Sequence, residues 1–180
     1  MRRVGAVAVL FSALYLLSDV IEALQGGFTT AQLLLTLVAE AAIPVFVLGL
    51  WRVQRPAIGR LGQVSAAAYA AAYVFFTGTV VYALVERTPD YATLTDELGA
   101  AMTVGGAVMV VAGIGFGVAT IRAHVLPAWT AGALMAGVVL VAATQNASDG
   151  VQLAAAAVRD GGFAGMGAAL LAGAAGRSPT

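Results

Sequence analysis

Six apolar stretches, roughly 4–24, 31–51, 62–85, 99–121, 127–144 and 150–175, alternate along the chain with short polar breaks. The breaks hold turn residues: Gln25-Gly26-Gly27, Arg55-Pro56, Thr88-Pro89-Asp90, His124 to Pro127, and Gln145 to Gly150. A helix needs about 20 apolar residues to cross a hydrocarbon core of ~30 Å. The pattern therefore predicts an all-α integral membrane protein, a six-transmembrane-helix bundle forming one domain over residues 1–180. The segment from Gln145 to Asp160 is polar at intervals, which leaves a second reading of the last stretch: an interfacial helix followed by a short span from Gly161. The first run continues past Leu17 to Leu24 with no small-residue cleavage site close behind it, so it reads as a retained span rather than a signal peptide.

Composition agrees with lipid as the solvent. The chain is 61% hydrophobic and 10% charged, with mean hydropathy +0.92. A soluble domain carries about 25% charged residues. With no cysteine and one histidine, His124, disulfides, thiolate sites and di-histidine ligation are excluded. No metal-ligand pattern, Ser/His/Asp set, nucleotide loop or nucleic-acid patch occurs, so no cofactor, metal or nucleic-acid partner is expected. All nine basic residues are arginine, which suggests a GC-rich bacterial genome and a multi-pass protein of the cytoplasmic membrane.

The net charge of zero conceals an asymmetry that sets orientation. With the N-terminus inside, the inner loops hold Arg2, Arg3, Arg52, Arg55, Arg60, Arg122 and Arg177, and no acid. The outer loops hold Glu86, Asp90, Asp96, Glu97 and Asp149, with Arg87 the one base among them. This satisfies the positive-inside rule for an N-in/C-in topology, and Trp51 and Trp129 fall at the inner interface, where amphipathic aromatics settle.

Polar residues within the apolar stretches follow helical spacing. Ser12, Tyr15, Asp19 and Glu22 share one face of the first, and Gln32, Thr36 and Glu40 one face of the second. Tyr69, Tyr73 and Thr77 do so in the third; Asp149, Gln152 and the Arg159-Asp160 pair mark the sixth. The fourth and fifth are nearly bare and are expected to face lipid more. An ionisable residue at a span centre costs about 2.5–3.5 kcal/mol on insertion scales, so such residues face a bundle interior or cavity. At ~1.5 Å rise per residue, Glu40 lies about 15 Å below the outer surface, and Arg159 and Asp160 reach a similar depth. The stripes describe an outward-facing funnel with Glu40 at its floor. Pro44 leaves the Glu40 carbonyl without its helical donor.

Two glycine pairs, Gly113/Gly117 and Gly161/Gly165, have the spacing that lets helices approach closely, either within the bundle or across a homodimer interface.

Three functional readings follow. In the first, the chain is a membrane-embedded enzyme acting by acid catalysis on an isoprenoid or lipid. Glu40 donates a proton, and Asp19, Glu22 or Asp160 accepts one. Tyr15, Thr36, Tyr69, Tyr73, Asn146, Asp149, Gln152 and Arg159 line the substrate site. In layout alone, few spans with intramembrane acids, this resembles the small membrane-embedded terpene cyclases. In the second, Glu40 shuttles protons in a transporter or channel that works as a dimer. In the third, Arg159 pairs with Glu40 or Asp160 merely to hold together a scaffold subunit. The first is favoured because the polar positions are confined to the outer half.

Overall fold

The structure is a computed structural model that describes residues 1–175; Arg177 lies outside the described residues. Every element in it is helical: α1 (Arg2–Gln25), α2 (Thr30–Val53), α3 (Gly59–Glu86), α4 (Tyr91–Leu98), α5 (Ala100–Ala123), α6 (Ala128–Ala143) and α7 (Asp149–Ala175). Helices α1, α2, α3 and α5 are long and apolar enough to cross a membrane. Helix α6 is apolar but has 16 residues. Helix α7 carries Asp149 in its first turn and the Arg159-Asp160 pair at mid-length. It runs unbroken past Gly161, so the polar 149–160 segment and the apolar segment after it form one rod.

Local chemistry explains the boundaries. Thr29 caps α2 by accepting from the Gln32 amide at 3.3 Å. Gly26 ends α1 in the left-handed conformation, φ 68°, with its amide bonded back to the Glu22 carbonyl. Arg87 and His124 close α3 and α5 in the same region, φ 58° and 53°. Helix α2 continues through Pro44 without interruption.

The six long helices pack as a closed ring, in the order α1, α2, α3, α5, α6, α7 and back to α1. Neighbours run antiparallel. Val4 at the start of α1 meets Gly49 near the end of α2, and Gly5 meets Gly167 in the last part of α7. Gly105 near the start of α5 lies on Phe75 of α3, and Gly117 near its end lies on Met135 of α6. Alternation gathers Arg2, Arg3, Arg52, Arg55, Arg60 and Arg122 at one end of the ring. Glu22, Glu86, Asp90, Asp96, Glu97 and Asp149 gather at the other.

The ring is filled differently at its two ends. Toward the arginine end, Phe46, Tyr69, Phe116, Phe163, Leu134 and Met166 are almost wholly buried. The Phe46 and Phe163 rings meet edge to face at 5.1 Å between centroids, and Tyr69 and Phe163 at 5.7 Å. Each such pair adds about 0.5–1.5 kcal/mol to its area burial. Toward the acidic end the ring is hollow.

Against the sequence expectation of a more outward helix, α5 is buried as much as α3 and more than α1. Gly105, Gly113, Gly115 and Gly117 let α5 settle onto Phe75, Tyr69, Ser65 and Met135. The Gly113/Gly117 spacing thus serves packing within the chain. On α7 the close register is Gly162 and Gly165, against Leu134 and Trp129 of α6, while Gly161 faces open space.

The tightest crossing is Gly137 of α6 on Arg159 of α7, where an added Cβ would lie 2.3 Å from backbone atoms. Gly137→Val should therefore lower stability by about 1–3 kcal/mol, the usual cost of overpacking, and displace Arg159. Gly161→Ala should leave the melting temperature in detergent unchanged; an equal loss in both variants would contradict this packing.

Candidate functional site

The hollow half of the ring is a cavity of about 470 Å³ reached by all seven helices. That volume lies within the range of about 300–1,000 Å³ typical of small-molecule sites. Its wall includes Tyr15, Asp19 and Glu22 from α1, and Gln32, Thr36 and Glu40 from α2. Tyr73, Phe76 and Val80 come from α3, Met102 and Met109 from α5, and Gln152, Ala156 and Arg159 from α7. Asn146 and Asp149 stand at the mouth and are exposed.

Glu40 is 5% exposed, at the floor. One carboxyl oxygen, Oε1, accepts from the Tyr15 hydroxyl at 2.6 Å. The other, Oε2, is buried with no hydrogen-bond partner among the described residues. A buried polar atom without a partner costs about 1–3 kcal/mol, so this oxygen marks the floor as a place where something other than packing is optimised.

Arg159 is the cation of the cavity wall. It donates to its own neighbour Asp160 through Nε (2.9 Å) and Nη2 (3.2 Å). Its Nη2 also lies 3.5 Å from Asp19 Oδ2. The guanidinium stacks on the Tyr15 ring at 4.5 Å, so it touches the same side chain that bonds Glu40. Arg159 does not pair with Glu40, as one sequence reading allowed; its acidic partners are Asp160 and Asp19.

A second cluster lies nearer the mouth. The Gln32 amide nitrogen, Nε2, donates to Ser18 Oγ (3.1 Å), Thr36 Oγ1 (3.0 Å) and Glu22 Oε2 (3.2 Å). Ser18 and Thr36 hydroxyls also bond each other. This fixes the upper halves of α1 and α2 together and leaves Gln32 Oε1 buried without a partner.

Two candidates lie away from the cavity surface. Asp160 does not line it but grips Arg159 from behind, and Tyr69 lies beneath the floor with its ring 5.1 Å from that of Tyr73. Two contributors were not singled out from the sequence. Ser18 sits three residues after Tyr15 and four before Glu22, on the same α1 face, and its small hydroxyl gave no warning. Tyr91 belongs to α4, within a loop that reads as a solvated acidic face; Asp90 after Pro89 was the capping signal for that helix.

Helix α4 covers part of the mouth. Asp90 Oδ1 accepts from the Thr93 amide at 2.8 Å, and the Phe28 amide bonds the Pro89 carbonyl at 2.7 Å. Leu94 buries against Leu33, Val80 and Ala83. The Thr93 bonds hold the Asp90 carboxyl below its ordinary value, whereas burial pushes the Tyr91 hydroxyl up, so it faces the cavity as a neutral phenol.

No known protein family, curated protein or solved structure matches this chain.

Two outcomes are expected. Arg159→Met alone leaves Asp160 and Asp19 without their cation and should cost about 3–5 kcal/mol, whereas Arg159→Met with Asp160→Leu should recover much of it in thermal melts. The Asp90 cap contributes stability above the ordinary aspartate range, and this is lost as pH falls through its lowered value. Protection of the Thr93 amide from exchange should accordingly persist through mild acid and disappear below that range; loss at neutral pH would refute the cap.

Proposed function

We propose that the chain crosses the membrane six times with both termini on the cytoplasmic side. In this reading it is a membrane-embedded enzyme acting by acid catalysis on a lipophilic substrate, an isoprenoid or lipid. The topology is supported by the separation of arginines and acids to opposite ends of the ring. The arginine-only basic set favours a bacterial cytoplasmic membrane. Helices α6 and α7 complete the ring beside the four most apolar helices, which supports counting them as spans.

One observation carries the catalytic reading: Glu40 has a free carboxyl oxygen at the closed floor of a cavity that opens at the acidic end. In the proposed step, neutral Glu40 holds its proton on Oε2. Tyr15 donates to Oε1, which stabilises the carboxylate left behind and so makes the acid a stronger donor. The Oε2–H bond breaks and a C–H bond forms at one carbon of a substrate alkene, leaving cationic character on the other. The faces of Tyr15, Tyr73 and Phe76 stabilise that cation. Asp19 or Glu22 then removes a proton from a neighbouring carbon, which re-forms an alkene and balances the sequence. Asp160 acts through Arg159, as a positioning residue. Thr36, Asn146, Asp149 and Gln152 shape the route from mouth to floor.

Proton-coupled transport is the less favoured reading because the path below Glu40 is filled by Phe46, Tyr69, Phe116 and Phe163. A transported species needs polar groups toward both sides.

Mass spectrometry of lipophilic molecules that co-purify with the protein tests the proposal. Wild type should carry a discrete isoprenoid or lipid, and Glu40→Gln should accumulate its unconverted form, with turnover lower by about a hundredfold or more. Bulk membrane lipid alone in both preparations would count against an embedded enzyme.

A further inference from the structure

A second hollow, about 430 Å³, lies on the flank of the ring between α4, α5 and α6. Its outer part is mostly apolar: Ala107, Val110 and Val111 from α5 and Ala142 from α6, with the Thr103 hydroxyl the one polar group among them. Val111 is 72% exposed, which places this part on the outside of the ring. Its inner part is made of Tyr91, Thr95, Met102, Gly106 and Gln145, and these same five residues also line the central cavity. The two hollows therefore adjoin at the α5–α6 seam, with only these five residues between them.

The sequence builds this gap. The α5–α6 contacts made by glycines are at Gly113 on Val138 and Gly117 on Met135 and Ala131, all toward the arginine end. Above them, Gly106 has no side chain and an added Cβ would meet nothing within 4 Å. Helix α6 stops at Ala143, so at this level the seam is bordered by Gln145 of the following turn rather than by a helix.

We infer that the α5–α6 seam is a lateral portal through which a single-chain lipophile with a non-anionic head passes from the hydrocarbon layer into the central cavity. This rests on the reading of that cavity as a binding site for a lipophile. The class of head follows from charge. Asp19, Glu22, Glu40, Asp90, Asp96 and Asp149 line the cavity against one cation, Arg159, which Asp160 and Asp19 already hold. An anionic head would meet these carboxylates with no free counter-charge. Glu40 Oε2, on a buried side chain and without a partner among the described residues, awaits a polar group at the inner end. An apolar chain lying in the seam needs no backbone hydrogen bond from the protein, since every helix there satisfies its own.

The test uses the full chain in phosphatidylcholine vesicles with a diazirine-bearing eighteen-carbon alcohol, and the same chain with a carboxylate head as comparison. Labelled peptides are located by mass spectrometry. The alcohol should label the Met109 and Phe76 peptides in wild type, and the carboxylate should not. Gly106→Trp and, independently, Ala142→Trp should lose that labelling, while Gly78→Trp, on an exposed open face of α3, should keep it. Labelling reads entry alone and needs no turnover, so failure of the catalytic step is separable from failure of the portal. Undiminished cavity labelling in both seam variants, or no cavity labelling in wild type, would overturn the portal. Equal labelling by the carboxylate would overturn the assignment of the head.

Discussion

A guanidinium held halfway along a bundle of apolar helices is the constraint around which this structure is organised. Arg159 cannot be solvated there, so its neighbours must supply what water would. Asp160 supplies two hydrogen bonds from the next residue, Asp19 supplies a second charge from across the α1–α7 contact, and the Tyr15 ring supplies a face. Those partners then have obligations of their own. Tyr15, fixed beneath the guanidinium, aims its hydroxyl at Glu40. The positions of three helices around the cavity floor follow from one buried cation. Gly137 fits the same scheme, because without a side chain it lets α6 lie directly against the Arg159 backbone.

Much of this architecture was legible in the residues. Helix boundaries follow from the apolar runs and from turn residues such as Gly26 and Pro89, because hydrophobic length and backbone conformation are local properties. The polar faces of α1 and α2 were legible for the same reason: Tyr15, Asp19 and Glu22 lie at helical spacing and line one wall, as do Gln32, Thr36 and Glu40. What the chain conceals is the pairing of faces. Arg159 could reach Glu40 or Asp160 by depth alone, and depth does not say which helix stands next to α7. The ring order decides that, and it places Asp19 within reach.

The same distinction explains the misjudged helices. By side-chain polarity α5 looks like a lipid-facing rod. In the fold its glycines are a substitute for hydrophobic bulk, because a flat backbone surface accepts Tyr69, Ser65 and Met135 at close range. Helix α4 was concealed differently. Eight residues carrying two acids do not stand out beside six apolar runs of greater length, yet Leu94, with Leu98 beside it, gives the helix a foothold on Leu33 and Val80.

The closure of the ring has a consequence for how the molecule comes to exist. Gly5 and Gly167 touch, although almost the whole chain separates them. During synthesis the first six helices can only form an open crescent, with Asp19 and Glu40 exposed along its concave edge. Arg159 arrives last, and with it the charge that compensates Asp19. Contacts of such sequence separation are slow to form, since their closure entropy must be met before they contribute. A chain that ends in the α6–α7 turn would therefore lack both the last wall of the ring and the counter-charge of Asp19.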